Sequence, residues 1–248
     1  SGGQLDSGDF PASLEEAVQK GGLAELIARR DKARAEGLLY GIGYAAAVEP
    51  SVSNMGYITT VLTPEERRKA GPKNGAQAAA TVAVDPTGGI SVTIESVPQG
   101  QGHRTVVAQV AADAFGLNYQ DIRVNCDFDT SKDAWSIAAG NYSSRFAGAV
   151  AGTVHLAATK LRDRMAQLAA SQLNVQPKNI RFARGQIFAE GNPDNALPFS
   201  RIAAAGHWSP GTLPDGLDAA LRETVFWTPP PLKAPTESDH INSSACYG

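Results

Sequence analysis

The chain has 248 residues, of which 42% are hydrophobic, and this is enough to bury the core of one large domain or of two small lobes. Its formal net charge is −3 and its basic residues are scattered, which argues against a nucleic-acid-binding surface. Cys126 and Cys246 have neither a C-x-x-C partner nor His/Cys ligand spacing, so we expect no disulfide framework and no structural zinc site.

An extended lead-in precedes the first predicted helix. Ser13 and Glu16 have the spacing of a capping box, which predicts a helix that continues to about residue 36. Gly21-Gly22 is a weak point that can split this helix. The glycine-rich, small apolar stretch Gly37–Val52 predicts a buried strand. Tyr57–Leu62 predicts a short strand, and the charged, turn-rich stretch Pro64–Gly75 predicts a surface loop.

The clearest hairpin in the chain leads into a glycine loop. Ala76–Val84 and Ile90–Val97 have the composition of strands, and Asp85–Gly89 supplies the turn between them. The second strand runs into Gly100-Gln101-Gly102, and the amphipathic stretch Thr105–Phe115 predicts a helix after it. Backbone N–H groups at a helix N-terminus bind phosphates and electron-rich oxygens, so we interpret this loop as a cofactor cradle.

The second half of the chain predicts an α+β (mixed α/β) fold, a mixed β-sheet with packed helices. Ile122–Phe128 predicts a strand, Asp129–Ala139 an irregular loop, and Arg145–Leu173 a long helix. The remaining predicted elements are a strand pair over Ile180–Phe188 around Arg184-Gly185, a helix over Ser200–Ala205 capped by Ser200, a loop over His207–Gly216 and a strand over Glu223–Trp227.

Two loops stand at strand-to-helix transitions, Pro98–Thr105 and Gly140–Arg145. The first offers backbone amides, a carboxamide and a hydroxyl, and the second offers an asparagine, two adjacent hydroxyls and a guanidinium. Either loop alone more often just turns the chain. Together they favour an anionic, heteroatom-rich cofactor.

A dinucleotide is one candidate for this cofactor. The G-x-G-x-x-G fingerprint requires a third glycine, but Thr105 occupies that position, and we expect the loop to follow a hairpin rather than a parallel β–α unit. Asp127 and Asp129 are candidates for the ribose-binding acid, although they lie far from the loop. The dinucleotide alternative therefore stays open at this point.

The stretch PQGQGHRT at Pro98–Thr105, followed by VVAQVAADAFGL and IRVNCDFDTSKDA, resembles the molybdopterin-binding subunit of the xanthine dehydrogenase/aldehyde oxidase family, the molybdenum hydroxylases. The similarity extends to Asp6–Pro11, Gly140–Gly148, Phe182–Phe188 and Ile202–His207. The resemblance implies that residues 1–248 form one lobe of a molybdopterin-binding domain. Its parts would be a lead-in and helix over 1–36, a core over 37–190, and a C-terminal region over 191–248 that continues in a missing lobe.

The resemblance also implies which residues bind the cofactor. These are Gln99, Gly100, Gln101 and Thr105 in the first loop, and Ala139, Gly140, Asn141, Ser143 and Ser144 in the second, with Arg145 as a weaker member. None is expected to ligate the metal directly. Family enzymes use a glutamate base in a Gly-x-Gly-Glu context, which this sequence lacks, so no catalytic residue is expected in this chain. His103 is interpreted either as a cofactor contact or as a hydrogen-bonded structural histidine.

The implied reaction is oxidative hydroxylation of an aldehyde or N-heterocycle with oxygen from water. The implied cofactor is molybdopterin, with its cytosine dinucleotide form open. The remainder of the molybdopterin subunit and a [2Fe-2S] and an FAD domain or subunit are implied as partners. A non-catalytic assembly lobe is the alternative function. We expect a cytoplasmic protein because no apolar run approaches the roughly 20 residues that span a bilayer, although export with a partner subunit stays open.

Overall fold

The computed structural model describes residues 9–45, 62–70, 77–127, 129–136 and 139–228. The helices are α1 Phe10–Lys20, α2 Leu23–Ala35, α3 Pro64–Ala70, α4 His103–Phe115, α5 Gly152–Leu173 and α6 Phe199–Trp208. The strands are β1 Ala78–Val84, β2 Ile90–Ile94, β3 Ile122–Asn125, β4 Ile180–Ala183, β5 Gln186–Ala189, β6 Asn192–Pro198 and β7 Arg222–Trp227. The predicted α+β class is confirmed. Of the described helices, none combines the length and the apolar character needed to cross a membrane.

The larger sheet has the strand order β3-β2-β1-β7. Its predicted β1–β2 hairpin is confirmed, with Val84 opposite Ile90 and with the carboxylate of Asp85 accepting hydrogen bonds from the N–H groups of Thr87 and Gly89 in the turn. β7 pairs antiparallel with the other edge of β1. β3 pairs parallel with β2, so β2, α4 and β3 form a β–α–β unit. The expectation that the glycine loop does not belong to a parallel unit was therefore wrong.

Helix α5 is the centre of the core. Along one side of it, Val154, Ala157, Leu161, Met165 and Leu168 recur at helical spacing and are fully buried or nearly so. The helix packs on β1, β7 and α4, and also on the smaller sheet. That smaller sheet is antiparallel, with the order β4-β5-β6. The sequence predicted a single mixed sheet, and the structure has this second sheet as well. The helix thus joins the two sheets through one continuous core.

The predicted long helix Arg145–Leu173 is confirmed but is not uniform. Phe146–Ala151 forms a π-helical segment, and regular α-helix begins at Gly152. The indole ring of Trp227 lies where a side chain at Gly152 would stand, because a Cβ built there meets the ring at 2.5 Å. The glycine therefore allows the helix to approach β7 closely, and π-helical segments frequently mark functional sites.

The N-terminal helices differ from the prediction in their cap. Asp9, not Ser13, caps α1, because its carboxylate accepts a hydrogen bond from the N–H of Ala12 at 3.0 Å. A proline in the first turn needs no N–H partner, which favours this earlier start. The predicted split at Gly21-Gly22 is confirmed, with Gly22 in the left-handed conformation. Neither α1 nor α2 contains a buried residue.

The predicted buried strand at Gly37–Val52 is wrong over its described part, residues 37–45. That part has no regular secondary structure, and the side chain of Leu39 is fully exposed. A strand is stabilised by the neighbours against which it packs, so small apolar residues alone do not form one. Residues 46–52 lie outside the described residues, as does most of the predicted strand Tyr57–Leu62.

The predicted loop Pro64–Gly75 is also wrong over its first part, which is helix α3, while residues 71–75 lie outside the described residues. Thr63 and Glu66 form a capping box at its start. The Glu66 carboxylate accepts from the N–H of Thr63 at 2.8 Å, and the Thr63 hydroxyl accepts from the N–H of Glu66 at 3.3 Å. The N–H and the hydroxyl of Thr63 both donate to the Glu66 carboxylate, and these two bonds hold the pKa of Glu66 below its ordinary value.

The predicted strand pair around Arg184-Gly185 is confirmed as β4 and β5, with both turn residues at positive φ. The sequence did not predict β6, which continues the smaller sheet. The predicted cap at Ser200 is wrong, because α6 already begins at Phe199. The helix also extends to Trp208, into the predicted loop, whereas the predicted last strand is confirmed as β7.

Candidate cofactor site

The first predicted loop connects the end of β2 to the start of α4. Gly100 and Gly102 have φ values of +103° and +81°, which L residues with a side chain rarely adopt. A Cβ built on either glycine meets no described atom within 4 Å, so the loop borders open space. The side chain of Gln101 folds back on the loop, and its Oε1 accepts from the N–H of Gln99 at 2.5 Å.

The loop ends at the N-terminus of α4. Gly102 is the N-cap, and because glycine has no side chain, it cannot cap the N–H groups of the helix. The helical hydrogen bonds of α4 begin with the N–H of Val106, which donates to the carbonyl of Gly102. The N–H groups of residues 103–105 come before this pattern and have no acceptor within the helix. Thr105 lies exposed in this first turn. The helix start therefore has the polarity that favours an anion.

The second predicted loop lies beside the first. Gly140 has φ +139°, and Ser143 lies in a 3₁₀ turn over Tyr142–Ser144 that leads into the π-helical segment. Ser144 is exposed at φ +44°, a left-handed conformation that costs a residue with a Cβ roughly 1–3 kcal/mol. Backbone strain of this kind is common where a loop is shaped for a ligand.

The two loops are joined by hydrogen bonds through Asn141. The hydroxyl of Ser96 donates to Oδ1 of Asn141 at 2.5 Å, and Nδ2 of Asn141 donates to the carbonyl of Val97. Ser96 and Val97 directly precede the first loop. One carboxamide therefore holds the two loops, which lie about 40 residues apart in sequence, in a fixed relation.

His103 extends this hydrogen-bonded chain into the core. Its Nδ1 lies 3.3 Å from Oγ of Ser96, and because the hydroxyl proton goes to Asn141, Nδ1 carries a proton and donates. The ring is fully buried and stacks on Phe146 at 3.7 Å. Burial lowers the pKa of His103, so the ring is neutral. Nε2 has no partner among the described residues. His103 is thus a buried, hydrogen-bonded histidine.

A cleft of about 580 Å³ opens between the two loops. It is lined by Glu95, Val97, Gln99, Ala139, Gly140, Asn141 and Tyr142. Four of the predicted residues, Gln99, Ala139, Gly140 and Asn141, line this cleft. Gly100, Gln101, Thr105 and Ser144 lie on the same loops but outside the described lining. The structure thus brings both predicted loops to one cleft.

Glu95 lines the cleft and was not predicted from the sequence. Its side chain is 1% exposed, and its carboxylate accepts from the N–H of Ala79 at 3.0 Å and from the N–H and hydroxyl of Ser136. Burial raises the pKa of Glu95 above its ordinary value, against the effect of these hydrogen bonds and of Arg145. The only sequence signal was an acidic residue between an apolar strand and a glycine loop.

Arg145, the weaker member of the predicted set, is 2% exposed. Its Nη2 donates to the carbonyl of Gln77 at 2.7 Å, and its Nη1 donates to the hydroxyl of Tyr142 at 3.0 Å. The guanidinium also lies over the Tyr142 ring, 5.4 Å from its centre. The side chain therefore binds groups within the protein and fixes the end of the second loop.

Residues 16–248 match a family model described as molybdopterin cofactor-binding domain. The nicotine 6-hydroxylase large subunit of Paenarthrobacter nicotinovorans is 30% identical to this chain over 215 residues, which cover 87% of the chain and 24% of that protein. The carbon monoxide dehydrogenase large chain of Afipia carboxidovorans is 24% identical over 241 residues, which cover 94% of the chain and 28% of that protein. The chain thus spans about a quarter of the length of these relatives.

Solved structures show the same fold. The crystal structure of quinoline 2-oxidoreductase from Pseudomonas putida 86 matches with a TM-score of 0.67 and 27% identity, over 90% of this chain and 27% of that one. CO dehydrogenase from Oligotropha carboxidovorans matches with a TM-score of 0.66 and 22% identity, over 92% of this chain and 27% of that one. At that identity the second likeness concerns the fold alone.

Proposed function

This chain belongs to the molybdopterin cofactor-binding domain family, and from that premise we propose that it forms part of the cofactor site of a molybdenum hydroxylase. The proposed reaction is the oxidative hydroxylation of an aldehyde or N-heterocycle with oxygen from water. The names of two relatives, a nicotine hydroxylase and a quinoline oxidoreductase, favour the N-heterocycle. Family membership favours this function over a dinucleotide-binding domain.

The observation that carries the proposal is the meeting of two separate loops at one cleft, held together by Asn141. Molybdopterin presents both ring amide groups and a phosphate. The cleft offers carboxamides and backbone groups for the first, and the start of α4 offers N–H groups for the second. Gly100 borders open space at a φ that suits glycine, which allows close approach of a ligand to the backbone. The residues present therefore fit the cofactor.

The proposed contacts divide between the loops. Gln99, Gly100, Gln101 and Thr105 would hold the cofactor from the side of α4, and Ala139, Gly140, Asn141, Ser143 and Ser144 from the other side. When bound, the cofactor supplies the redox chemistry, while the protein binds and orients it. Arg145 and His103 would act through the loops that they fix, because both are buried against protein groups.

We further propose that residues 1–248 are one segment of the molybdopterin-binding domain, divided into 1–36, 37–190 and 191–248. The catalytic glutamate and the other side of the cofactor site would then come from the remainder of the subunit. A [2Fe-2S] cluster and FAD on partner domains or subunits would carry the electrons away. The cofactor's cytosine dinucleotide form and a cytoplasmic location belong to the same proposal.

The test uses the assembled enzyme that contains this chain. Molybdenum and pterin are measured per protein in the wild type and in the Gln101→Ala and Asn141→Ala variants. We expect both variants to lose roughly tenfold in cofactor content or activity, since each loses hydrogen bonds at the site. Gln186→Ala, at an exposed position in β5, is the matched control and should match the wild type. Unchanged cofactor content and activity in both loop variants would refute the assignment.

A further inference from the structure

The stretch from Ser136 to Arg145, which contains the second loop, is anchored at both ends to one backbone carbonyl. The hydroxyl of Ser136 and Nη2 of Arg145 each donate to the carbonyl oxygen of Gln77, both at 2.7 Å. Gln77 immediately precedes β1, so both anchors attach to the end of the central hairpin. Ser136 lies before residues 139–142, which line the cleft, and Arg145 lies after them.

Glu95 secures the first of these anchors. Its carboxylate accepts the N–H of Ser136 and the N–H of Ala79 in β1. Its Oε1 also lies 3.0 Å from the hydroxyl of Ser136, which shares its single proton between Glu95 and the carbonyl of Gln77. The carbonyl of Ser136 in turn accepts from the N–H of Ala139, the first residue of the second loop that lines the cleft. A continuous path of hydrogen bonds therefore runs from Glu95 to the cleft.

The burial of the Glu95 carboxylate has an energetic cost that an apolar residue would not have. Glu95 is 1% exposed, and removing a carboxylate from water is costly unless hydrogen bonds satisfy it. An apolar side chain would fill the same place in the core without that cost, but it would leave the N–H groups of Ala79 and Ser136 without their acceptor. What the carboxylate contributes is a fixed position for Ser136.

We propose that Glu95 is a positioning residue of the cofactor site, which holds Ser136 against β1 and thereby fixes the stretch 139–144. This inference rests on the proposed function, since it assigns a role toward the same cofactor. Glu95 does not act on substrate in this role. It determines where the second loop stands and so how firmly the cofactor is held.

Glu95→Gln in the assembled enzyme is the first test. The carboxamide keeps the shape of the side chain, but its NH₂ group faces a donor at Ala79 or Ser136. We expect amide hydrogen exchange over residues 131–136 and 139–144 to accelerate by about tenfold, and cofactor to dissociate about tenfold faster. Glu223→Gln is the control, because Glu223 is a partly buried glutamate in β7 of the same sheet that pairs with Arg164. It should leave both rates unchanged.

Ser136→Ala gives an independent test if Glu95→Gln does not fold. It removes the hydroxyl that contacts Gln77 and Glu95 but keeps the backbone N–H that donates to Glu95, so we expect both rates to rise less than in Glu95→Gln. In the double variant the two effects should not add, because both act on one contact. Wild-type exchange and wild-type cofactor retention in Ser136→Ala or in a folded Glu95→Gln would overturn the proposal. Failure of the proposed function looks different, because the wild-type enzyme would then contain no molybdopterin.

Discussion

Replacing Gly100 with alanine tests the proposed contact between this residue and the cofactor. The loss of stability from backbone strain and the loss of cofactor content can be measured separately. Gly100 has φ +103°, and a Cβ built there meets nothing within 4 Å, so the fold itself does not crowd the new methyl group. The cost in the protein is then the strain of a left-handed L residue, about 1–2 kcal/mol. That is a factor of about 5–30 in the folding equilibrium.

Gly185→Ala provides the matched control for this substitution. Gly185 stands at φ +73° in the β4–β5 turn, its added Cβ also meets nothing within 4 Å, and it belongs to neither of the two loops proposed to hold the cofactor. Both variants should lower the midpoint of thermal unfolding by a similar amount. Only Gly100→Ala should also lose molybdopterin, roughly tenfold, because its methyl group projects into the space proposed for the cofactor.

The assay measures unfolding and pterin content on the same preparations of the assembled enzyme. Full molybdopterin content in Gly100→Ala would refute the proposed contact at Gly100. A much larger loss of stability in Gly100→Ala than in Gly185→Ala would refute the inference that Gly100 borders open space.

Three further predictions concern stability. Burial lowers the pKa of His103, so the imidazole binds a proton more readily in the unfolded chain than in the folded one. The free energy of unfolding should therefore fall as the pH drops from about 7 through 6. His103→Gln should lose this pH-dependent part of the stability in unfolding curves measured over a pH series. Leu161→Ala should cost about 2–5 kcal/mol in denaturant unfolding, because the side chain is fully buried in α5, whereas exposed Leu14→Ala should change little. Gly116→Ala should lower the free energy of unfolding by about 2–5 kcal/mol, because its Cβ would overlap the backbone of the β4–β5 hairpin and the residue has a left-handed conformation. Gly191→Ala should lower it less, because a Cβ there meets no described atom within 4 Å.

Each of these has a clear contrary result. An identical pH dependence in His103→Gln would show that another group accounts for it. Equal losses in the two leucine variants would contradict the position of α5 at the centre of the core. Equal losses in the two glycine variants would contradict the close contact between the end of α4 and the hairpin.

The sequence predicted the parts of the fold that depend on local signals. The β1–β2 hairpin followed from its Asp85–Gly89 turn, and α4 and the long helix followed from the spacing of their apolar residues. Local signals failed where the outcome depends on distant neighbours. Nothing in the stretch Gly37–Val52 reveals whether another strand lies beside it, and no periodicity indicates that β3 pairs parallel with β2.

The candidate site was likewise predicted where its signals are local and missed where its residues meet across a long stretch of sequence. The Gly100–Gly102 loop was evident because its glycines stand between a predicted strand and a predicted helix start, and a second polar loop stands at a similar transition. Glu95 was not evident, because its partner Ser136 lies 41 residues away and a lone acid in sequence usually faces solvent. The second loop was identified from its polar residues before a predicted helix, and the resemblance to a family indicated which cofactor both loops bind. The hydrogen bonds that join the two loops emerged only from the structure.

The pairing of β7 with β1 has a consequence for synthesis of the protein. Thr81 and Thr224 face each other across this pair with their hydroxyl oxygens 2.9 Å apart, although they lie 143 residues apart in the chain. Until the ribosome has released residues 222–227, the outer edge of β1 has no partner, and its sequence AAATVAV carries no charge. Nascent chains should therefore depend on chaperones until β7 emerges, and slowed translation before that point should increase aggregation.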